Sequence, residues 1–554
     1  MHRTVAPRGI SKALLWAPLL CILAAALTVE IPFFFFHATP SGHDVEFHLY
    51  SWLEVLSQWK QGVFFPRWAA LANFGYGEPR FIFYPPVSWT VGAVLSSVFP
   101  WIAVPDIYIW ICLAAAGVSM FVLARDSLGR SDAIFAAVLY AVNPYHLVMI
   151  YWRSAYAELL ASSLLPLLVL FLLRADQRER RGIVPLALVL AAAWLVNEPA
   201  AVMTHYSLAL SALVVAWQRR SAGVLWVAAA SVALGAALAA FYLLPAIFEQ
   251  KWVNIAEAVS AGLRPSDNFL FTHTGDADHD AFNRIMSWTV LAEALITFLA
   301  AWFARRWRQR HGALWFILVT WSMACAAIML PVSWPLWAIL PKLCFMQFPW
   351  RWMLCFGVPF SLFLVVGLSR WSLRISAYLG LVGLLIFLGH HYQPPWWEVR
   401  GDLYEIRDNM VRGTGYEGVD EYTPVDADPS AVDRNARRVT VQGSAHAAIR
   451  VHQWGPKRKS VDANLSTADN LQLRLFNYPA WRVEVNGRKV QSGMQEGTGQ
   501  MLIPVEAGEN RVEITFGRTW DRGLGDWISL LTLLAMTLSF VYRTQHSWIP
   551  KRSV

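Results

Sequence analysis

Charge is scarce in this chain: only 15% of its 554 residues are Asp, Glu, Lys or Arg, against 56% that are hydrophobic. Ordinary soluble domains carry about 25% charged residues, so a soluble enzyme of common composition is excluded. Cysteine is scarcer still. The five present, Cys21, Cys112, Cys325, Cys344 and Cys355, lie in or beside apolar segments with no CxxC and no metal-ligand spacing, and read as packed thiols. The polar region 394–523 has none, so it needs no disulfide even in an oxidising compartment. A small-residue cleavage site is also missing after the first apolar run, although Arg3, Arg8 and Lys12 precede that run as in a signal peptide. It therefore reads as an uncleaved signal anchor.

What is abundant is apolar surface and tryptophan, 29 residues of it, and the expected class is an α-helical polytopic membrane protein. The net charge of +8 does not point to nucleic acid, because the basic residues cluster in short loops between apolar runs, where they act as topology signals. Apolar runs at 14–36, 107–123, 132–150, 156–173, 183–195, 200–217, 224–245, 288–303, 314–330, 353–368, 375–388 and 527–541 give about twelve expected spans, since a bilayer requires roughly 20 residues per helix. Basic clusters at 125–130, 174–181, 218–220, 305–310, 370–374 and 543–552 alternate with the other connections and assign both termini to the cytoplasm.

The first long polar interruption, residues 42–86, mixes charges with aromatic rings: GHDVEFHLYSWLEVLSQWKQGVFFPRWAALANFGYGEPRFIFYPP. Val45, Leu49, Trp52, Leu56 and Trp59 recur at steps of four and three, which predicts an amphipathic helix lying on the membrane surface. Asp44 and His48, four apart, fall on one face and Glu46 lies half a turn away. Asp44 is also a preferred N-cap residue at the start of that helix, a structural reading beside the chemical one. The topology gathers Asp44, His48, Arg67, Arg80, Tyr84, Asn143, His146, Arg153, Glu158, Glu198, His205 and Arg351 at or just below the outer surface. Charges within spans are costly and tend to face a cavity, so these residues outline one outer site. Simpler readings stand beside this one: His146 and His205 as packing residues, Arg153 and Glu158 as a pair, Glu198 as part of a polar turn.

From about residue 437 short alternating strands follow, RRVTVQG, AAIRVHQW, LQLRLFNY, WRVEVNG and RVEITF, with hairpin-type turns at Asn486-Gly487 and Gly508-Glu509-Asn510. They predict a small external antiparallel β-domain, a sandwich over about 437–518. The expected organisation is a transmembrane domain over 1–392, an external region over 393–523, and a last span and tail over 524–554.

An acidic residue just after the first span, an aromatic shelf and a Pro-Pro-aromatic entry to the next helix resemble the polytopic GT-C glycosyltransferases, which use polyprenyl-phosphate sugars. More closely, D-x-x-x-H at Asp44 and His48, FFPRW, GYGEPRFIFYPP, NPYHL, QFPWRW and DEYTP resemble a bacterial family of membrane proteins labelled 6-pyruvoyl-tetrahydropterin synthase-related. NYPAWRVEVNG and VEAGENRVEITF resemble the terminal domain of membrane proteins linked to lipoteichoic-acid glycosylation. No Cys/His zinc constellation accompanies the pterin label.

The GT-C resemblance implies transfer of a sugar from a polyprenyl phosphate to a glycan, lipid or protein acceptor at the external face of a bacterial inner membrane. Such transfer needs a base and positive charge for the leaving phosphate. Asp44 matches the first-loop acid and is the expected base, with His48 orienting it. Asp44, Glu46 and His48 could instead hold a divalent cation, magnesium or manganese. Arg67, Arg80, Arg153 and Arg351 are the candidate phosphate ligands, because a planar guanidinium grips phosphate oxygens in a fork. Tyr84, Glu198 and His205 complete the candidate binding residues. The alternative is a transporter, flippase or assembly factor for the same lipids; it should carry polar residues deeper in its spans.

Overall fold

The structure of the protein, a computed structural model, describes residues 12–178, 182–391 and 397–547. Arg3 and Arg8 of the expected anchor, Arg180 and Arg181 of one basic cluster, and Lys551 and Arg552 of the tail lie outside the described residues.

The expectation of about twelve spans is corrected. Among the described residues six helices are long and apolar enough to cross a membrane: Trp101–Arg125, Arg130–Arg153, Tyr156–Ala175, Glu198–Arg219, Ala277–Gln309 and Pro349–Gly367. The number rises to eight if each of two bent pairs is one span. Hydropathy overcounts here for visible reasons. The run 14–36 is one helix, Lys12–Val29, and a separate short one, Ile31–Phe36, divided at Glu30 and Pro32. Helix Ile183–Val196 has 14 residues, a length of about 21 Å against a hydrocarbon core of about 30 Å. The run 224–245 is an elbow, Gly223–Leu238 and Ala240–Trp252 meeting at 77°. Helices Trp371–His391 and Trp520–Ser547 stand outside the count, and the second carries Asp521, Arg522 and Asp526 near its start.

The amphipathic helix after the first polar turn spans Val45–Lys60, but it is not a surface helix. On one side Trp52 stacks between Tyr108, at 4.7 Å, and Tyr156, at 5.4 Å. Gly92 allows this approach, because a Cβ there would come within 2.2 Å of the Trp52 indole. On the other side Glu54 is fully buried, accepting from the Leu71 amide at 3.2 Å and from Tyr416 Oη at 2.5 Å. The helix is therefore clamped between the helical body and the segment after helix Arg400–Arg412, whose Tyr416 covers its polar face.

The β-domain is two packed antiparallel sheets. One has four strands in the order Val439–Val441, Asp469–Phe476, Gln500–Val505, Gly493–Met494; the other has five, Ala447–Trp454, Arg458–Leu465, Gly508–Phe516, Trp481–Val485, Arg488–Val490. Asn486 and Gly487, with φ of 53° and 77°, turn the hairpin that pairs Val485 with Arg488. The turn expected at Gly508-Glu509-Asn510 is not there. Those residues begin a strand that pairs with Arg458–Leu465, while the preceding strand belongs to the other sheet. The domain sits on the first loop: Trp68 packs on Tyr478, Trp481 and Phe516, and the Phe476 amide donates to Tyr76 O at 3.0 Å. Glu249 fixes it to the elbow helix, accepting from Arg522 twice at 2.7 Å and from Tyr478 Oη at 2.7 Å.

Candidate functional site

Two turns lie side by side and create the site. Gly42 packs against the backbone of Arg153 and Ser154, where a Cβ would come within 2.4 Å, and its amide donates to Ser154 Oγ at 2.9 Å. The Asp44 amide donates to Arg153 O at 2.9 Å. Asp44 is the N-cap residue of Val45–Lys60, yet its side chain makes no capping bond. Its carboxylate instead faces Arg153 Nη2 at 3.3 Å and remains 41% exposed. A cap normally spends its carboxylate on the backbone amides of the first turn; this one is left for other work.

Behind Asp44 the charges are buried and shared. Arg153 Nη1 donates to Glu158 Oε2 at 2.6 Å, Tyr145 Oη donates to Glu158 Oε1 at 2.6 Å, and Arg351 Nε stands 3.4 Å from the same carboxylate. Arg351 Nη1 donates to Met346 O at 2.9 Å, but its buried Nε has no hydrogen-bond partner among the described residues. Phe348 lies under both guanidinium groups, 5.5 Å from Arg153 and 4.8 Å from Arg351. Two guanidinium groups thus share one buried carboxylate.

These groups line one cavity of about 850 Å³. It receives Asp44, His48, Tyr84, Arg153, Glu158, Glu198, His205 and Arg351 of the residues singled out in the sequence. The His48 ring is buried among Phe47, Trp52, Tyr84 and Tyr156, and burial lowers its pKa to about 4, so it is a neutral wall group at pH 7. The Tyr84 hydroxyl is pushed upward by burial and by the Asp44 charge, and stays protonated. Glu198 accepts from Tyr242 Oη at 2.6 Å, and His205 bonds its own helix at Ala201 O, 2.8 Å away. The elbow at Ala239 puts Val232 and Ala236 from one limb and Leu243, Ala246 and Ile247 from the other on the same wall, which is apolar.

Five of the residues expected at the site lie elsewhere, among them Asn143, whose Oδ1 accepts from the His146 amide at 3.1 Å. Arg80 is consumed by Glu78 at 2.7 Å, both fully buried, with the guanidinium between the rings of Phe47 and Tyr416. Arg67 Nη2 donates to Phe241 O at 3.1 Å, its guanidinium over Phe65. Glu46 is exposed, outside the cavity wall and within electrostatic reach of Glu398. Among the described residues no three His, Cys, Asp or Glu side chains converge to hold a metal ion. Asp44, Glu46 and His48 do not converge on one point: Glu46 is exposed outside the cavity wall, and the His48 ring is buried among aromatic rings. His146 is a buried packing residue whose Nδ1 lies 3.1 Å from Ala141 O. Sequence reasoning passed over Lys342, Glu421 and Tyr422, which also line the cavity. The DEYTP motif carried the last two, but its distance along the chain hid where it lands.

The fold is thus that of a multi-pass membrane protein in which helices, the first loop and the segment around Glu421 line one cavity. Residues 81–392, more than half of the chain, match the family described as "6-pyruvoyl-tetrahydropterin synthase related domain; membrane protein", and the chain belongs to that family. Among solved structures it is similar to the oligosaccharyltransferase of Archaeoglobus fulgidus. The apo form matches with a TM-score of 0.42 and 13% identity over 74% of this chain and 57% of that one. The complex with Zn and sulfate matches with a TM-score of 0.39 and 12% identity over 73% and 53%; the form tethered to an acceptor peptide containing the NVT sequon, with 0.37 and 12% over 73% and 56%. The chain spans just over half the length of that enzyme. No curated protein sequence matches it.

Proposed function

We propose that the protein is a membrane glycosyltransferase of GT-C type that moves a sugar from a polyprenyl phosphate to an acceptor hydroxyl in this cavity. The observation that carries the reading is the Asp44 carboxylate. It is partly exposed at the cavity wall, unused as a helix cap, and adjoins the buried guanidinium groups of Arg153 and Arg351, which share Glu158.

In this reading the acceptor oxygen attacks the anomeric carbon and its proton passes to Asp44. The bond from that carbon to the phosphate oxygen breaks, and the electron pair leaves with the phosphate. Arg351 and Arg153 stabilise the charge that gathers there, in a cavity whose low dielectric strengthens the interaction. The apolar wall of the elbow takes the first part of the lipid chain. Glu158 holds both guanidinium groups in place, so that little reorganisation accompanies the reaction.

The test is to reconstitute the protein in vesicles with a mixture of polyprenyl-phosphate sugars and a lysate-derived pool of glycans and lipids, and to follow each donor. The expected result is consumption of one donor with a matching gain in glycosylated product. Movement of donor across the bilayer without consumption would replace the transferase reading by a transporter.

A further inference from the structure

The segment 413–425 runs as a strap that contributes Val419, Glu421 and Tyr422 to the cavity wall and is pinned along its length. Tyr416 stacks on Tyr50 at 4.4 Å and bonds Glu54; the Val419 amide donates to Glu78 Oε2 at 3.0 Å. Beyond the turn, the Asn254 amide donates to Thr423 O and the Val425 amide to Trp252 O, both at 3.0 Å. Between the pins the single turn Asp420–Tyr422 presents Glu421 and Tyr422 to the cavity, with the Tyr422 ring parallel to Phe83 at 5.9 Å.

Glu421 differs from the other acids on that wall. Asp44 is paired with Arg153, Glu158 with Arg153, Arg351 and Tyr145, and Glu198 with Tyr242. Glu421 forms no hydrogen bond or ion pair with another side chain among the described residues. A carboxyl group has room for several hydrogen bonds, accepting when ionised and also donating when protonated, and this one lies beside flat aromatic faces. A ligand with several hydroxyl groups on one edge and C–H groups on its faces satisfies both.

We infer that Glu421 and Tyr422 form the subsite that holds a sugar ring, Glu421 accepting from its hydroxyls and Tyr422 packing on its face. The inference rests on the transferase reading and adds to it the groups that select the sugar. Glu421 is a positioning residue. It takes no proton from the acceptor and does not meet the phosphate.

The experiment uses the full chain in lipid nanodiscs, wild type beside Glu421→Gln and Glu421→Asp, each first checked for unchanged thermal unfolding. Three probes are titrated: bare polyprenyl phosphate, polyprenyl-phosphate hexoses, and free methyl hexosides observed by saturation-transfer NMR. If the ring is the donor's, Glu421→Gln weakens the hexose lipid about tenfold and leaves the bare lipid unchanged, with Glu421→Asp between. If the ring is the acceptor's, the lipids keep their affinities and the methyl hexoside signal is lost. Equal binding of all sugar probes by wild type and Glu421→Gln overturns the inference and leaves the transferase reading standing. Failure of wild type to bind either lipid overturns both.

Discussion

Asp44 Oδ2 and Arg153 Nη2 stand 3.3 Å apart across 109 residues of chain, and the backbone makes the meeting obligatory: the amide of the first donates to the carbonyl of the second. The carboxylate is set by main-chain contacts and not by a long flexible side chain. It occupies the start of a helix without serving that helix, and its open edge faces the cavity.

Among the described residues Glu158 is the one buried counter-charge of Arg153 and Arg351. Glu158→Gln leaves Arg153 and Arg351 buried at 5% and 6% exposure without it. Removing one partner of a buried ion pair costs about 3–5 kcal/mol. The variant should unfold at a distinctly lower temperature in detergent than wild type, whereas Glu158→Asp should recover part of the loss. An unchanged unfolding temperature would mean that the cluster is solvated.

Arg80 provides a contrast. Its guanidinium is spent on Glu78, Ser51 and two aromatic rings, so it should matter for stability and not for the donor. Arg80→Met or Glu78→Gln alone should destabilise by about 3–5 kcal/mol, and the two together by less, because neither charge is then left unpaired. Donor affinity should be the same in every variant that folds. A loss of phosphate-dependent binding in the double variant would return Arg80 to the site.

Burial pushes the Glu421 carboxyl up from 4.5 to about 7; Glu78 and Asp420 add to the rise, and Arg80 and its own backbone amide oppose it. The folded state therefore holds a proton that the unfolded state releases. The stabilising contribution is complete below the unfolded value and is lost as pH rises through about 7. Between about pH 5 and about pH 8 the unfolding temperature of wild type should fall, and Glu421→Gln should flatten that slope. Identical slopes would place the titration on another group.

The sequence reading reaches as far as local periodicity and composition allow. Asp44 and His48 are recognisable because four residues along a helix bring side chains to one face, and Arg153 and Arg351 because they stand in connections that the basic clusters assign to the outer side. The strands of the β-domain are legible for the same reason, as alternation. What fails is what depends on distant partners. Arg80 reads as a free guanidinium until Glu78 is seen bonded to it, and the polar face of Val45–Lys60 reads as solvent-facing until Tyr416 is found on it. The span count fails because hydropathy measures how apolar a run is, and not that Glu30 divides one run or that Ala239 bends another by 77°. Glu421 is invisible for the same reason: its strap reaches the site only in the folded chain.

The measurement that tests the central claim most directly compares wild type with Asp44→Asn, an almost isosteric change, in the same vesicles with the donor that wild type consumes. The account predicts that Asp44→Asn binds the donor with an affinity close to wild type, unfolds at a similar temperature, and consumes the donor at least about 100-fold more slowly, the minimum usually supplied by a general base. Consumption at the wild-type rate by Asp44→Asn would contradict it, and would leave Asp44 as the partner of Arg153 alone.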